Sequence, residues 1–208
     1  MSTSELAALL LYATAMAFTP GPNTTLSAAL AANRGLAHAM PFVVAVPVGW
    51  CLLLGASVLG LGAAIAAVPG LGQALRWGGM AYMLWLALRL WRSAAPAASA
   101  GASLAANDRS ADFDLGFARG VALQFVNTKA WLNALTISAT WITVEGQTLL
   151  RAAQVLPIAA AYGFASNFTY ACVGAALRDW LTQGQRLRNF NRVMAAALVL
   201  TALWMVRA

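Results

Sequence analysis

The chain has 208 residues, of which 61% are hydrophobic and only 9% charged, with a mean hydropathy of +0.71. That profile lies outside the soluble globular range and points to an integral membrane protein. The formal charge of +7 does not indicate nucleic acid, because the arginines lie between apolar runs and form no basic patch interleaved with aromatics.

Crossing a hydrocarbon core takes roughly 20 apolar residues per helix, so the chain holds a handful of spans and no separate soluble domain. Six helices are predicted, over residues 4–32, 36–66, 70–92, 115–142, 148–178 and 190–207. They make one all-α transmembrane domain over 1–208. Its halves, 1–92 and 115–208, are joined by the Ala/Ser-rich segment 93–114, which reads as a flexible cytoplasmic linker.

The first span opens on Met-Ser-Thr-Ser-Glu, without the basic start of a signal peptide, and Pro20-Gly21-Pro22 interrupts it, so it reads as a retained helix. The two prolines lack an amide hydrogen, which deprives the carbonyls of Met16 and Phe18 of their helical partners. Lipid cannot replace those bonds, so such a gap belongs beside protein, water or ligand. Past it, Pro22 can start a second half-helix, with the amides of Asn23, Thr24 and Thr25 free at its positive end, where a carboxylate fits. The half-helix before the gap offers carbonyls to an ammonium, so the two ends together suit a zwitterion. A proline kink serving packing alone fits the same residues.

The second span carries His38 near its start, read as a surface histidine, and Cys51, which like Cys172 has no CxxC or CxxH neighbour and reads as a small packing residue. In the fourth, Gly116 and Gly120 form a GxxxG suited to close packing or dimerisation. Lys129 lies far from either end of that helix, where a charge costs about 2.5–3.5 kcal/mol to insert, and no carboxylate sits at comparable depth. It must face carbonyls, a water-filled cavity or a substrate anion. Asn127, Thr128 and Asn133 lie beside it, and Asn167 and Thr169 occupy the fifth span; each also suits an interhelical hydrogen bond.

Orientation follows from the arginines. Arg34, Arg89, Arg92, Arg109, Arg119, Arg178, Arg186, Arg188 and Arg192 fall on one face, against Arg76, Arg151 and Arg207 on the other. The first face is therefore cytoplasmic and both termini are outside. Trp77, Trp141 and Trp204 then fall at the outer interface and Trp91 and Trp180 at the inner one. Asn23-Thr24 recurs 104 residues later as Asn127-Thr128, half the chain length away, as two inverted three-helix repeats would place it.

Thr19-Pro20-Gly21-Pro22-Asn23, "GGMAYMLWLALRLWRS", "GFARGVALQFVNTKAWLNAL" and "GAALRDWL…RNFNRVMAAALVL" together resemble the LysE/RhtB family of amino-acid exporters, over nearly the whole chain. The resemblance implies a six-helix homodimer in the bacterial inner membrane, a secondary carrier that exports amino acids or their derivatives on the proton motive force. Its motifs fall on Pro20, Gly21, Pro22 and Asn23 and on Asn127, Lys129 and Ala130. Two positions depart from it. Thr128 stands where the family usually has proline, so a break in the fourth helix must form without that ring, and Asn23 stands where many relatives have aspartate. Loss of that acid leaves substrate deprotonation, uniport or coupling through Lys129 open, with Glu5 and Asp179 as the other acids to consider.

The expected substrate site is therefore Pro20, Gly21, Pro22, Asn23, Thr24, Asn127, Thr128, Lys129 and Asn167, with no metal, cofactor or catalytic residue. A divalent metal or other small-solute exporter, or a small intramembrane lipid enzyme, is the alternative. Both would want converging acids, histidines or cysteines, or a nucleophile with its base.

Overall fold

The computed structural model describes residues 1–60, 64, 67, 68, 70–93 and 115–207, and all regular structure among them is helical. The predicted linker beyond Ser93 and parts of the end of the second predicted helix lie outside the described residues.

The first predicted helix is two helices. α1 (Thr3–Phe18) starts on a capping box, in which Ser2 Oγ accepts from the Glu5 amide while Glu5 Oε2 accepts from the Ser2 amide. It ends at Thr19, in extended backbone, and α2 (Pro22–Arg34) begins with Pro22 as its first residue. Gly35, at φ 88°, turns the chain into α3 (Leu36–Val58). Pro41 and Pro47 lie inside α3, two interruptions that the sequence reading passed over. α4 is Leu71–Arg92.

The fourth predicted helix is broken as well, into α5 (Phe117–Val126) and α6 (Thr128–Ile137), with Asn127 in extended backbone between them. From Ser138 to Ile142 the chain continues as a π-helix, closed by the Thr143 amide on the Ser138 carbonyl. α7 is Thr148–Ala176, α8 is Arg178–Leu181 and α9 is Arg186–Arg207. α9 starts four residues before the predicted position, because hydropathy sees only its apolar part. Its first turn is polar and is bound to the preceding loop by Arg186 Nη1 on Gln183 Oε1 and by Arg188 on Gln185.

Among the described residues α3 and α7 are long and apolar enough to cross a membrane. At about 1.5 Å rise per residue, the 23 residues of α3 exceed the hydrocarbon thickness. α4 and α9 have 22 residues each but carry several arginines, and the halves of the broken helices are individually too short.

α2 is the centre of the fold. It packs against α3, α7 and α9 and buries ten of its thirteen residues, whereas α1 buries only Leu9 and Ala13 and lies mainly along α7. The close approach of α2 and α7 depends on Gly174, where an added Cβ would come within 2.2 Å of the Ala28 carbonyl oxygen. Gly120 plays the same part between α5 and α3, with Ala45 Cβ 2.7 Å from the position its own Cβ would occupy. That half of the GxxxG is therefore spent on packing within the chain.

Two apolar cores result. One gathers Leu26 and Leu30 of α2, Phe42 of α3, Met83, Leu86 and Leu90 of α4, Leu123 of α5 and Leu198 of α9. The other gathers Leu9 of α1, Trp50, Leu53 and Leu54 of α3, Ala134 and Ile137 of α6, Trp141, and Val155 and Ala159 of α7. Trp141 thus departs from its expected place in an interfacial belt. It is only 8% exposed, packs on Tyr12, and donates its indole N–H to the Glu5 carbonyl. The other four tryptophans expected in the belts are exposed, and Arg192 and Arg186 lie over Trp91 and Trp180.

Candidate functional site

Both helix breaks release backbone groups, and their partners define the site. At the first break three carbonyls, among them that of Phe18 but not that of Met16, are taken up by side chains from other helices. Ser166 Oγ donates to the Ala17 carbonyl at 2.5 Å, Tyr170 Oη to that of Phe18 at 3.0 Å, and Lys129 Nζ to that of Thr19 at 2.9 Å. Thr24, the third residue of α2, reaches back to the capping residue Gly21, its Oγ1 accepting from the Gly21 amide at 3.0 Å. The Thr25 amide, expected to be free, donates to the Gly21 carbonyl at 2.9 Å. Thr25 is the fourth residue of α2, so the regular i→i−4 ladder already reaches it.

The second break needs no proline. Asn127 Oδ1 accepts from the Lys129 amide at 3.1 Å and so caps α6, while the indole of Trp131 donates to the Phe125 carbonyl at 2.8 Å. The break lies at Asn127, just ahead of Thr128. The repeated Asn-Thr is consequently not equivalent in the two copies: Asn127 is the cap of α6, but Asn23 is the second residue of α2, whose cap is Gly21.

Between the two cores lies a cavity of about 90 Å³, walled by α1, α2, α3, α6 and α7. By the same measure one water needs about 10–15 Å³, so there is room for a small solute. Gly21, Pro22, Asn23, Thr24, Asn127, Lys129 and Asn167 line it. Pro20 and Thr128, also expected there, do not. Pro20 is exposed, and Thr128 is already in α6.

Lys129 lies across the first break. A Cβ on Gly21 would stand 3.3 Å from both Cδ and Nζ of Lys129, so the absent side chain gives the ammonium its place. Lys129 meets two of its expected needs together, a freed carbonyl and a polar cavity. It is the only formally charged side chain among the described residues lining that cavity. Glu5 is engaged elsewhere, with Arg151 Nη1 3.0 Å from its Oε1, and Asp179 is exposed on α8. Neither lines the cavity.

Asn23 forms a reciprocal amide pair with Gln124, Nδ2 donating to Oε1 at 2.8 Å and accepting in return at Oδ1 from Nε2 at 3.2 Å. Gln124 also donates to the Gly120 carbonyl at 3.0 Å and is fully buried. Sequence reasoning missed it. The available signal was an amide inside the apolar "VALQFV", three residues before Asn127. Gln124→Ala removes both bonds of the reciprocal pair from the half-buried Asn23, and each such bond contributes about 0.5–1.5 kcal/mol net. Thermal unfolding of the detergent-solubilised variant is therefore expected at lower temperature than wild type; an unchanged transition would show the pair to be dispensable.

Asn167 is 4% exposed, donating to the Gly163 carbonyl at 2.8 Å and accepting from Ser27 Oγ at 3.0 Å, so it ties α7 to α2. Asn133 and Tyr162 also line the cavity. The Oδ1 of Asn133 is buried without a hydrogen-bond partner.

A family profile described as LysE type translocator matches residues 14–208. Cysteine/O-acetylserine efflux proteins of Salmonella typhimurium and Salmonella typhi are each 28% identical to this chain over 204 residues, covering 97% of both chains. One from Escherichia coli is 28% identical over 203 residues, again with 97% of both chains covered. No solved structure matches.

Proposed function

This chain belongs to the LysE type translocator family, and on that premise we propose that it exports small neutral amino acids of the cysteine and O-acetylserine kind. Membership makes it a transporter and not an enzyme. The observation that carries the substrate reading is the cavity between the two helix breaks, with one ammonium, Lys129, beside amides, hydroxyls and apolar walls. A carboxylate answers Lys129, and the bounded volume favours a short side chain.

In this reading the chain crosses the bacterial inner membrane six times with both termini outside, as the arginine asymmetry favours. Its two halves are inverted repeats, each opening on a broken helix capped at Gly21 or at Asn127. Rocking of one half against the other exposes the cavity alternately to the two sides. The proton motive force drives the cycle. No carboxylate lines the cavity among the described residues, so a coupled proton would travel on Lys129 or on the substrate's own amine. Assembly as a homodimer rests on the family resemblance. A divalent metal carrier would want converging His, Cys, Asp or Glu side chains, and no three of these converge among the described residues.

Inverted membrane vesicles containing the protein are expected to accumulate labelled O-acetylserine when energised, and to lose that uptake with a protonophore. Vesicles that take up none beyond a control lacking the protein would refute the reading.

A further inference from the structure

The polar side chains around the cavity differ in one respect. Asn23 is paired with Gln124, Thr24 with Gly21, Asn127 with the Lys129 amide, Asn167 with Gly163 and Ser27, and Ser166 with Ala17. Of the carbonyls at the break, those of Ala17, Phe18 and Thr19 each already accept one bond, from Ser166, Tyr170 and Lys129, and keep a single lone pair for a substrate ammonium. Asn133 is the exception, with a buried amide oxygen that has no partner. It is four residues after Lys129 and therefore on the same face of α6. A buried amide oxygen left unpaired is unfavourable, and Asn133 is part of the cavity wall, from which a bound solute's donor would reach it.

We infer that Asn133 is the residue that positions the substrate's α-ammonium, while Lys129 holds its carboxylate. The site then recognises an amino acid at both ends and reads the side chain by charge as well as by size. The cavity has one fixed positive charge and no negative one among the described residues, so a substrate with a cationic side chain is repelled. This inference rests on the reading of the cavity as an amino-acid site.

The test uses the full chain, purified and reconstituted into liposomes, with counterflow of labelled O-acetylserine. Serine, 3-hydroxypropionate (serine without its amine) and cationic 2,4-diaminobutyrate serve as competitors. Wild type is expected to prefer serine over 3-hydroxypropionate by about 10- to 100-fold, the range expected for one bond to a charged group. In Asn133→Ala that ratio should collapse to within about threefold, mostly through weaker serine binding. Asn133→Asp, which neutralises the cavity, should gain transport of 2,4-diaminobutyrate, a gain that misfolding cannot produce.

An Asn133→Ala protein that keeps the wild-type ratio overturns the inference. If that variant carries nothing, Asn133→Asp decides, and no gain of the cationic substrate overturns it. Wild-type protein that carries no amino acid at all is a separate result, which refutes the amino-acid reading itself.

Discussion

Lys129→Met is expected to raise the apparent KM for amino-acid uptake into inverted vesicles by about 10- to 100-fold, or to abolish uptake. The ammonium is the one charge at the cavity wall among the described residues, and a hydrogen bond to a charged group contributes about 1.5–3 kcal/mol. At about 1.4 kcal/mol per decade that is one to two decades of affinity. Stability should move little, because two effects oppose each other. Removing the charge relieves an insertion cost of about 2.5–3.5 kcal/mol, while the Thr19 carbonyl loses its partner at about 1–3 kcal/mol. Lys129→Arg is not a rescue. A Cβ on Gly21 would lie only 3.3 Å from Nζ, so the site is fitted to a compact ammonium and not to a planar fork. Wild-type kinetics in the methionine variant would remove Lys129 from the site.

Gly79→Ala is expected to destabilise the protein and to lower transport, while its neighbour Gly78→Ala does neither. Helix propensity alone predicts that both changes in α4 stabilise, by up to about 1 kcal/mol. The surroundings decide otherwise. A Cβ at Gly79 would meet the Val126 carbonyl oxygen at 2.1 Å, but at Gly78 nothing lies within 4 Å. The clash is with backbone, and overpacking of this kind costs about 1–3 kcal/mol or more, which exceeds the propensity gain. Val126 ends α5 next to Asn127, so pushing it away also displaces the cap of α6 and with it Lys129. Thermal unfolding and vesicle uptake of the two variants test this, and equal behaviour of the pair would count against the assigned packing.

The helix break at Pro20-Gly21-Pro22 was legible because proline acts on its own backbone and the one four residues before it. The break at Asn127 was not legible by the same means, since Thr128 lacks that ring. It depends on an Asn cap and on an indole six residues away from the carbonyl it serves. Lys129 was found because a lone charge in an apolar run is costly wherever the helix lies. Gln124 was passed over because a neutral amide in lipid is tolerated and gives little signal. Trp141 was misplaced because its position near a helix end fits either a lipid belt or a core, and only its neighbours distinguish them.

By itself the sequence determined the solvent, the helical class, the approximate ends of the helices, the first break and the presence of a buried charge needing a partner. Each follows from hydropathy, proline geometry or desolvation, which act within a few residues of the chain. The tertiary structure alone decided which partners meet. Asn23 finds Gln124 across 101 residues and Lys129 finds the Thr19 carbonyl across 110, and the amide oxygen of Asn133 stays unpaired in the wall of the same cavity. Those outcomes depend on how closely helices approach at Gly79, Gly120 and Gly174. The contacts there lie between segments distant in the chain, where no local pattern in one sequence records them.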